Sequence, residues 1–268
     1  MTHRTPSTSH SFPDIHARAN AALVGMSKEL YVDVPAATDR LLGDLAGKLF
    51  KAEKTTAQKV ALMTVLRLKQ EAHAIRLLLG HGYPAQAMSL AANMIEITYE
   101  LLFVGDDEVK AAQWEKHSEP GEKVWGKNSS IYKRMVDGLK SVDLSDADAK
   151  DQADVDYQSY GLLCDAKHGS PVINKVSGGF FDGDTFVTGP QIYQEKSDVF
   201  QAVQTSNVTA WMSVLAALAV IHYHLGDDDK AALLDESEKL NVLRKGAVLA
   251  VMAIAEADEN SAGVEPLA

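Results

Sequence analysis

The chain is 268 residues long, 46% apolar and 24% charged, the make-up of a soluble globular protein with room for one large core or two modest ones. Its 26 Lys and Arg stand against 37 Asp and Glu, a net charge of −11; this argues against general attraction to nucleic acid or anionic membrane, so an RNA-binding reading needs a local basic site. The single cysteine, Cys164, excludes an internal disulfide and leaves a thiolate zinc site without its second sulfur, and a cytoplasmic location is the expectation.

Met1 to Phe12 is rich in Ser, Thr and His and has no apolar run, which predicts a disordered arm and not a secretion signal. Helices are predicted from Pro13 to about Leu30 and from Pro35 to about Lys51. The break between them falls at Val32-Asp-Val-Pro35, because proline turns its predecessor away from the helical region. From about Thr55 to Leu79, the apolar positions Ala61, Val65, Leu68, Ala72, Ile75 and Leu79 recur at steps of four and three, a core-facing helical stripe. Gly80, His81 and Gly82 end this pattern, and Pro84 suits the first turn of the next helix, where its missing N–H has no intrahelical partner to lose. An antiparallel helical hairpin is therefore predicted, with a second arm from Pro84 to about Val104. That arm is apolar nearly all round except for the line Gln86, Ser89, Asn93, Glu96 and Glu100, the pattern of a central helix whose polar line meets a site, a partner or water.

Between 105 and 152 the chain is more polar, and Trp114, Trp125 and Tyr132 are the expected anchors of one or two short helices. Loops are expected at Ser118-Glu-Pro-Gly121 and Gly126-Lys-Asn-Ser-Ser130. A further helix is predicted from about Ser145 to His168, stopped by Gly169-Ser-Pro171. From Val172 to Gln191 β-forming residues alternate around Asp182-Gly183, which predicts a β-hairpin. Helices then resume at about Ser197 to His224, Lys230 to Lys239 and Leu240 to Glu256, ahead of a tail, 257–268, expected to be disordered. The longest apolar run, Ala210 to Ile221, falls short of the roughly 20 residues that span a membrane and reads as a buried core helix. Residues 13–256 are thus expected to form one all-α domain, a multi-helix bundle with a small β-hairpin insertion near 172–190.

Several residue groups are candidates for chemistry. Arg76 and His81 carry the Arg-x4-His spacing of the HEPN superfamily of helical, mostly metal-independent ribonucleases, which this stretch resembles. The resemblance implies that Arg76 holds a scissile phosphate and that His81 acts as general acid or base on a 2′-hydroxyl. Here Leu77 follows the arginine, where the family commonly has a polar residue, and His81 sits in a turn between glycines. The alternative is that Arg76 is a solvated helix residue beside Lys69 and His73, and that His81 caps the carbonyls of the helix end.

Glu96 and Glu100 are four apart and share a helical face with Asn93. If buried they need partners, and an Arg67–Glu96 bridge across the hairpin is the expected one. A di-iron carboxylate site would need paired Glu-x-x-His motifs; the chain has none, and no metal is expected. Tyr157, Tyr160, Cys164 and His168 fall on one face of the helix that ends at Gly169, an arrangement that suits packing better than a Cys–His nucleophile pair. His222 and His224 diverge on a helix. No Walker loop, dinucleotide fingerprint, nucleophile elbow or zinc-protease motif is present, so no cofactor is expected.

Three short elements, Tyr83-Pro-Ala85, Glu96 and Tyr160-Gly-Leu-Leu-Cys164-Asp-Ala-Lys-His168-Gly-Ser-Pro171, together resemble a bacterial helical family known as a domain of unknown function, over roughly residues 55 to 225. That family carries an arginine four residues before the glutamate, where this chain has Ala92. The resemblance implies a helical fold and a shared polar cavity in which His81, Glu96, Tyr160 and His168 meet. The expectation is a binding or interaction module with a pocket built from Arg76, His81, Asn93, Glu96, Glu100, Tyr160 and His168. Its expected partners are a small ligand, a protein or a second copy as a homodimer, and not a membrane. The alternative is a HEPN-like ribonuclease of a defence or toxin system, for which RNA is the partner.

Overall fold

The computed structural model describes residues 12–51, 54–117, 124–125, 129–168, 180–182, 185–187, 190–191, 193 and 196–262. Helix α1 spans Phe12–Met26, and its successor is capped by Ser27, whose Oγ accepts the Leu30 amide at 3.1 Å. The break is therefore at Ser27 and not at the proline. A π-helical turn, Glu29–Asp33, runs straight into α2, Val34–Lys51. Proline has no N–H to give, so Pro35 is accommodated by the wider turn just before it, a device found often at functional sites.

Helix α3, Thr56–Gly80, opens with a capping box between Thr55 and Gln58, which satisfies two orphan amides reciprocally. Its stripe is buried as expected at Ala61, Val65, Leu68, Ile75 and Leu79. Helix α4, Pro84–Val104, starts on its proline and is the apolar centre of the bundle, packed against α3 and the later helices. Two short helices follow, α5, Glu108–Lys116, and α6, Ile131–Lys140, with N-caps Asp107 and Ser130. Trp125 is buried beside Phe103 in a small satellite core that also takes Ala57, Val60, Val104 and Ala111. Helix α7 spans Asp146–Lys167.

Of the 172–190 stretch, the described residues include two short strands, β1, Phe180–Asp182, and β2, Thr185–Val187, paired antiparallel. The other residues of 172–189, residues 1–11 of the arm expected over Met1 to Phe12, and most of the two loops expected between 118 and 130 lie outside the described residues, and Phe12 belongs to α1 and not to the arm. Helix α8, Lys196–His224, packs along α4. The two helices expected after it are one, α9, Asp227–Ala262. No proline occurs between 227 and 262, and the helix packs on both α8 and α2, so nothing stops it. It also runs six residues past the predicted boundary at Glu256.

The protein is thus an all-α bundle with α4 and α8 at its centre. By length and composition, Pro84–Val104 and Val199–His224 are apolar enough to cross a membrane, but 61% and 78% of their apolar windows are buried inside the protein. Core helices of this kind are hydrophobic on most faces for that reason.

Candidate functional site

A cavity of about 840 Å³ opens between α1, the π turn with the start of α2, the C-terminal half of α3 and one wall of α8. Its size is that of a small-molecule site. Leu23, Val34, Ile75 and Leu79 give it apolar walls, and all four are buried. Arg76 and His81, the residues singled out by their spacing, both line it, as do His73, Arg40 and His16. Arg76 forms no ion pair among the described residues, whereas Lys69 is tied to Asp39 at 3.3 Å and Arg40 lies in the field of Glu236.

The turn after α3 fixes His81. As C-cap of that helix it gives its amide to the last carbonyls, and its Nδ1 lies 2.6 Å from the Leu77 carbonyl oxygen. A carbonyl only accepts, so Nδ1 carries the proton and Nε2 of the neutral ring keeps its lone pair. The capping role expected of this histidine is therefore present together with a place on the cavity. Its ring meets that of His16 edge-on, centroids 4.6 Å apart, and the Tyr83 ring lies 5.9 Å from that of His16.

Two of the residues that line the cavity each carry a polar atom shut off from solvent and without a hydrogen-bond partner among the described residues. The Tyr31 hydroxyl, on a residue 8% exposed, and His16 Nε2 are buried without a hydrogen bond. Burial alone pushes the Tyr31 phenol well above its ordinary value, so it stays a donor at any physiological pH. Neither residue stood out in the sequence. Tyr31 reads there as one more apolar position, and only the π turn, which periodicity does not reveal, brings it to the cavity.

The other expected site residues lie apart from this cavity. Glu96 accepts the Tyr160 hydroxyl at 2.7 Å and the Lys167 ammonium at 2.8 Å, which joins α4 to the end of α7. Arg67 instead pairs with Glu71, Nη2 to Oε1 at 2.6 Å. The expected Arg67–Glu96 bridge is absent because a carboxylate one helical turn away costs less ordering than one across the hairpin. Glu100 accepts from the Trp114 indole at 3.3 Å, Asn93 is half-buried, and His168 is exposed as the C-cap of α7. So Glu96 and Tyr160 come together, but Arg76 and His81 face a different space. Cys164 is a half-buried free thiol. His222 and His224 do diverge: His222 leans toward Asp143 at 3.8 Å, and burial pushes His224 down to about 4. Among the described residues no group of three or more His, Cys, Asp or Glu is arranged to hold a metal ion.

A second polar cluster went unread in the sequence. Asp156, 3% exposed, accepts the Tyr99 hydroxyl, the Gln152 amide at 3.0 Å and the Trp211 indole N–H at 3.1 and 3.2 Å to its two oxygens. Arg244 stacks on the Trp211 ring, 5.3 Å from its centroid, and is held by Asn207 and Asn241. This network binds α4, α7, α8 and α9 together.

Compared with protein-family models, curated proteins and solved structures, the chain has no match in any of the three.

Proposed function

We propose that this chain is a cytoplasmic binding protein whose cavity takes a small molecule with an anionic head and an apolar body. The observation that carries the reading is the unpaired Arg76 guanidinium, with His73 and His81, at the exposed rim of a cavity walled by Leu23, Val34, Ile75 and Leu79. In a chain of net charge −11 such a local excess of donors has to be built, and a carboxylate or phosphate answers it with bidentate hydrogen bonds. The apolar walls then hold what the head carries. Dodecanoate is the test ligand. Calorimetric titration is expected to show binding of dodecanoate, at least tenfold weaker binding of dodecanol, and a loss of about ten- to a hundredfold for the acid in Arg76→Ala, the worth of one hydrogen-bonded charge. Equal binding of acid and alcohol would sink the reading.

The second reading, RNA cleavage by Arg76 and His81, is favoured by one fact: both side chains reach the same cavity. It is the weaker one, because RNA affinity rests on several phosphate contacts, while Lys69 is engaged by Asp39 and Lys167, held by Glu96, lies away from this cavity. Incubation of purified protein with RNA in the presence of chelator is expected to leave the RNA intact. Cleavage that disappears in Arg76→Ala and His81→Ala would reverse the order of the two readings.

A further inference from the structure

We infer that the outward face of α3 is a docking surface for an acidic amphipathic helix of another protein. Met63, Leu66, Gln70, His73 and Leu77 recur along it at steps of three and four. All five are exposed, and the three apolar ones keep 44–45% of their surface in water. That spacing is the a and d seam of a coiled coil, the row that one helix presents to another. Here the seam has no second helix among the described residues, because α3 turns its other stripe, Ala61, Val65, Leu68 and Ile75, to the core. Charge says which helix completes it. Glu71 is the only acid of α3 and is buried, while Arg67, which bonds it through Nε and Nη2, keeps a side chain 57% exposed. In heptad register Arg67 flanks the seam on one side, Lys69 and Arg76 flank it on the other, and Lys59 continues it at the N-terminal end. Flanking charges of this kind choose a coiled-coil partner. Arg67 and Lys69 have Glu71 and Asp39, but Lys59 and Arg76 make no ion pair among the described residues. Two copies set face to face would oppose the same cations. RNA finds no Phe, Tyr or Trp on α3 to stack on, and an anionic membrane is repelled by a chain of net charge −11. A helix with apolar residues at the same spacing and carboxylates on its flanks answers both the row and the charges, and Gln70 with His73, the polar layers, fixes its register. Lys59, Met63 and Leu66 do not line the cavity, so the inference stands apart from the small-ligand reading.

The probe is a fluorescently labelled peptide of three heptads with Leu at the outer a and d positions, Asn at the two central ones and Glu elsewhere, titrated with the whole protein and followed by anisotropy. Wild type is expected to bind it, to bind the counterpart with Lys in place of Glu about tenfold more weakly or worse, and to lose affinity as salt rises. Leu66→Glu sets a carboxylate in the seam against those of the peptide and is expected to weaken binding about tenfold or more. Lys59→Glu is expected to weaken it roughly two- to fivefold, the worth of an exposed pair. Both positions are exposed, so both variants are expected to melt with wild type; if Leu66→Glu melts lower, Lys59→Glu carries the comparison. The inference is overturned if the acidic peptide does not bind, if the Lys peptide binds as well, or if affinity is unchanged in whichever variant carries the comparison. It is also overturned if a single-stranded RNA oligonucleotide or phosphatidylglycerol vesicles bind more tightly than the acidic peptide, or if the protein alone self-associates in sedimentation equilibrium and Leu66→Glu abolishes it, for each gives the face to another occupant. Failure of dodecanoate to bind would remove the small-ligand reading and leave this one standing.

Discussion

Asp156→Ala is expected to lower the unfolding free energy by about 3–5 kcal/mol, the usual cost of taking one member out of a buried charged network. The residue is 3% exposed and accepts three donors, of which Tyr99 is completely buried. Alanine would strand the phenol and the indole N–H in the core, each at roughly 1–3 kcal/mol, and would leave Arg244 buried without its nearest counter-charge. Asp156→Asn should cost less. Its carbonyl oxygen still accepts, but its NH2 would confront either the Trp211 N–H or the Tyr99 hydroxyl, and only the hydroxyl can turn to accept.

The acid limb distinguishes these variants further. Burial raises the Asp156 carboxyl above its ordinary 3.8, and the donors from Tyr99, Trp211 and Gln152 only partly offset it. A raised folded-state value means that the folded protein takes up the proton before the unfolded chain does. The resulting stabilisation is full below 3.8 and is lost as the pH rises through the raised value. Asp156 therefore works against the acid denaturation that paired surface carboxylates produce, and Asp156→Asn should unfold at higher pH on the acid side than its neutral-pH stability implies. Urea unfolding of the three proteins at neutral pH and across the carboxylate range measures both effects. A loss under about 1 kcal/mol for Asp156→Ala would mean that the network does not hold α4, α7, α8 and α9 together.

What could be read from the sequence follows the range of the forces involved. Helices α3, α4 and α7 were legible because caps, glycines and apolar steps are local, and so was the hairpin turn at 80–84. Asp156 carries a partial local signal: it stands in the buried stripe Ala149, Ala153, Asp156, Leu163 of α7, where an acid needs partners. Those partners, Tyr99 and Trp211, lie 57 and 55 positions away, and no periodicity identifies them. Glu96 shows the same limit from the other side. Its need for a cation was evident, yet Lys167 supplies it from 71 positions away, while Arg67 takes Glu71 on its own helix. For the cavity, the Arg76…His81 spacing found the rim and missed the wall. The unpartnered hydroxyl is placed by a π turn, and a five-residue change of helical pitch leaves no mark in a pattern of apolar residues.

Gly82→Ala is expected to destabilise the fold by roughly 3 kcal/mol or more, although it adds a single methyl group to the turn between α3 and α4. Two independent costs combine. Gly82 has φ +82°, a region that penalises any side chain by about 1–2 kcal/mol. Its carbonyl also accepts the Gln191 amide at 2.8 Å, and the Tyr193 hydroxyl donates to the Leu79 carbonyl at 2.6 Å. The segment before α8 is thus seated directly on the turn, and it supplies two of the bonds that the end of α3 lacks by itself. A Cβ on Gly82 would run into the Gln191 carbonyl oxygen and lie 2.9 Å from the Gln191 nitrogen and 3.0 Å from Pro190 Cβ. Because the obstacle is mostly backbone, no rotamer relieves it; the segment must lift and give up its bonds. Gly80→Ala is the control. A Cβ there meets only the Asn20 side-chain oxygen at 3.3 Å, φ is helical, and alanine is the better helix former by up to about 1 kcal/mol, so its stability should match or exceed wild type. Thermal melts separate the two, and hydrogen exchange at the Gln191 amide should lose protection in Gly82→Ala alone. Equal melting of both variants would show that the 190–193 segment does not clamp the turn, and that His81 and Arg76 are held at the cavity by α3 without it.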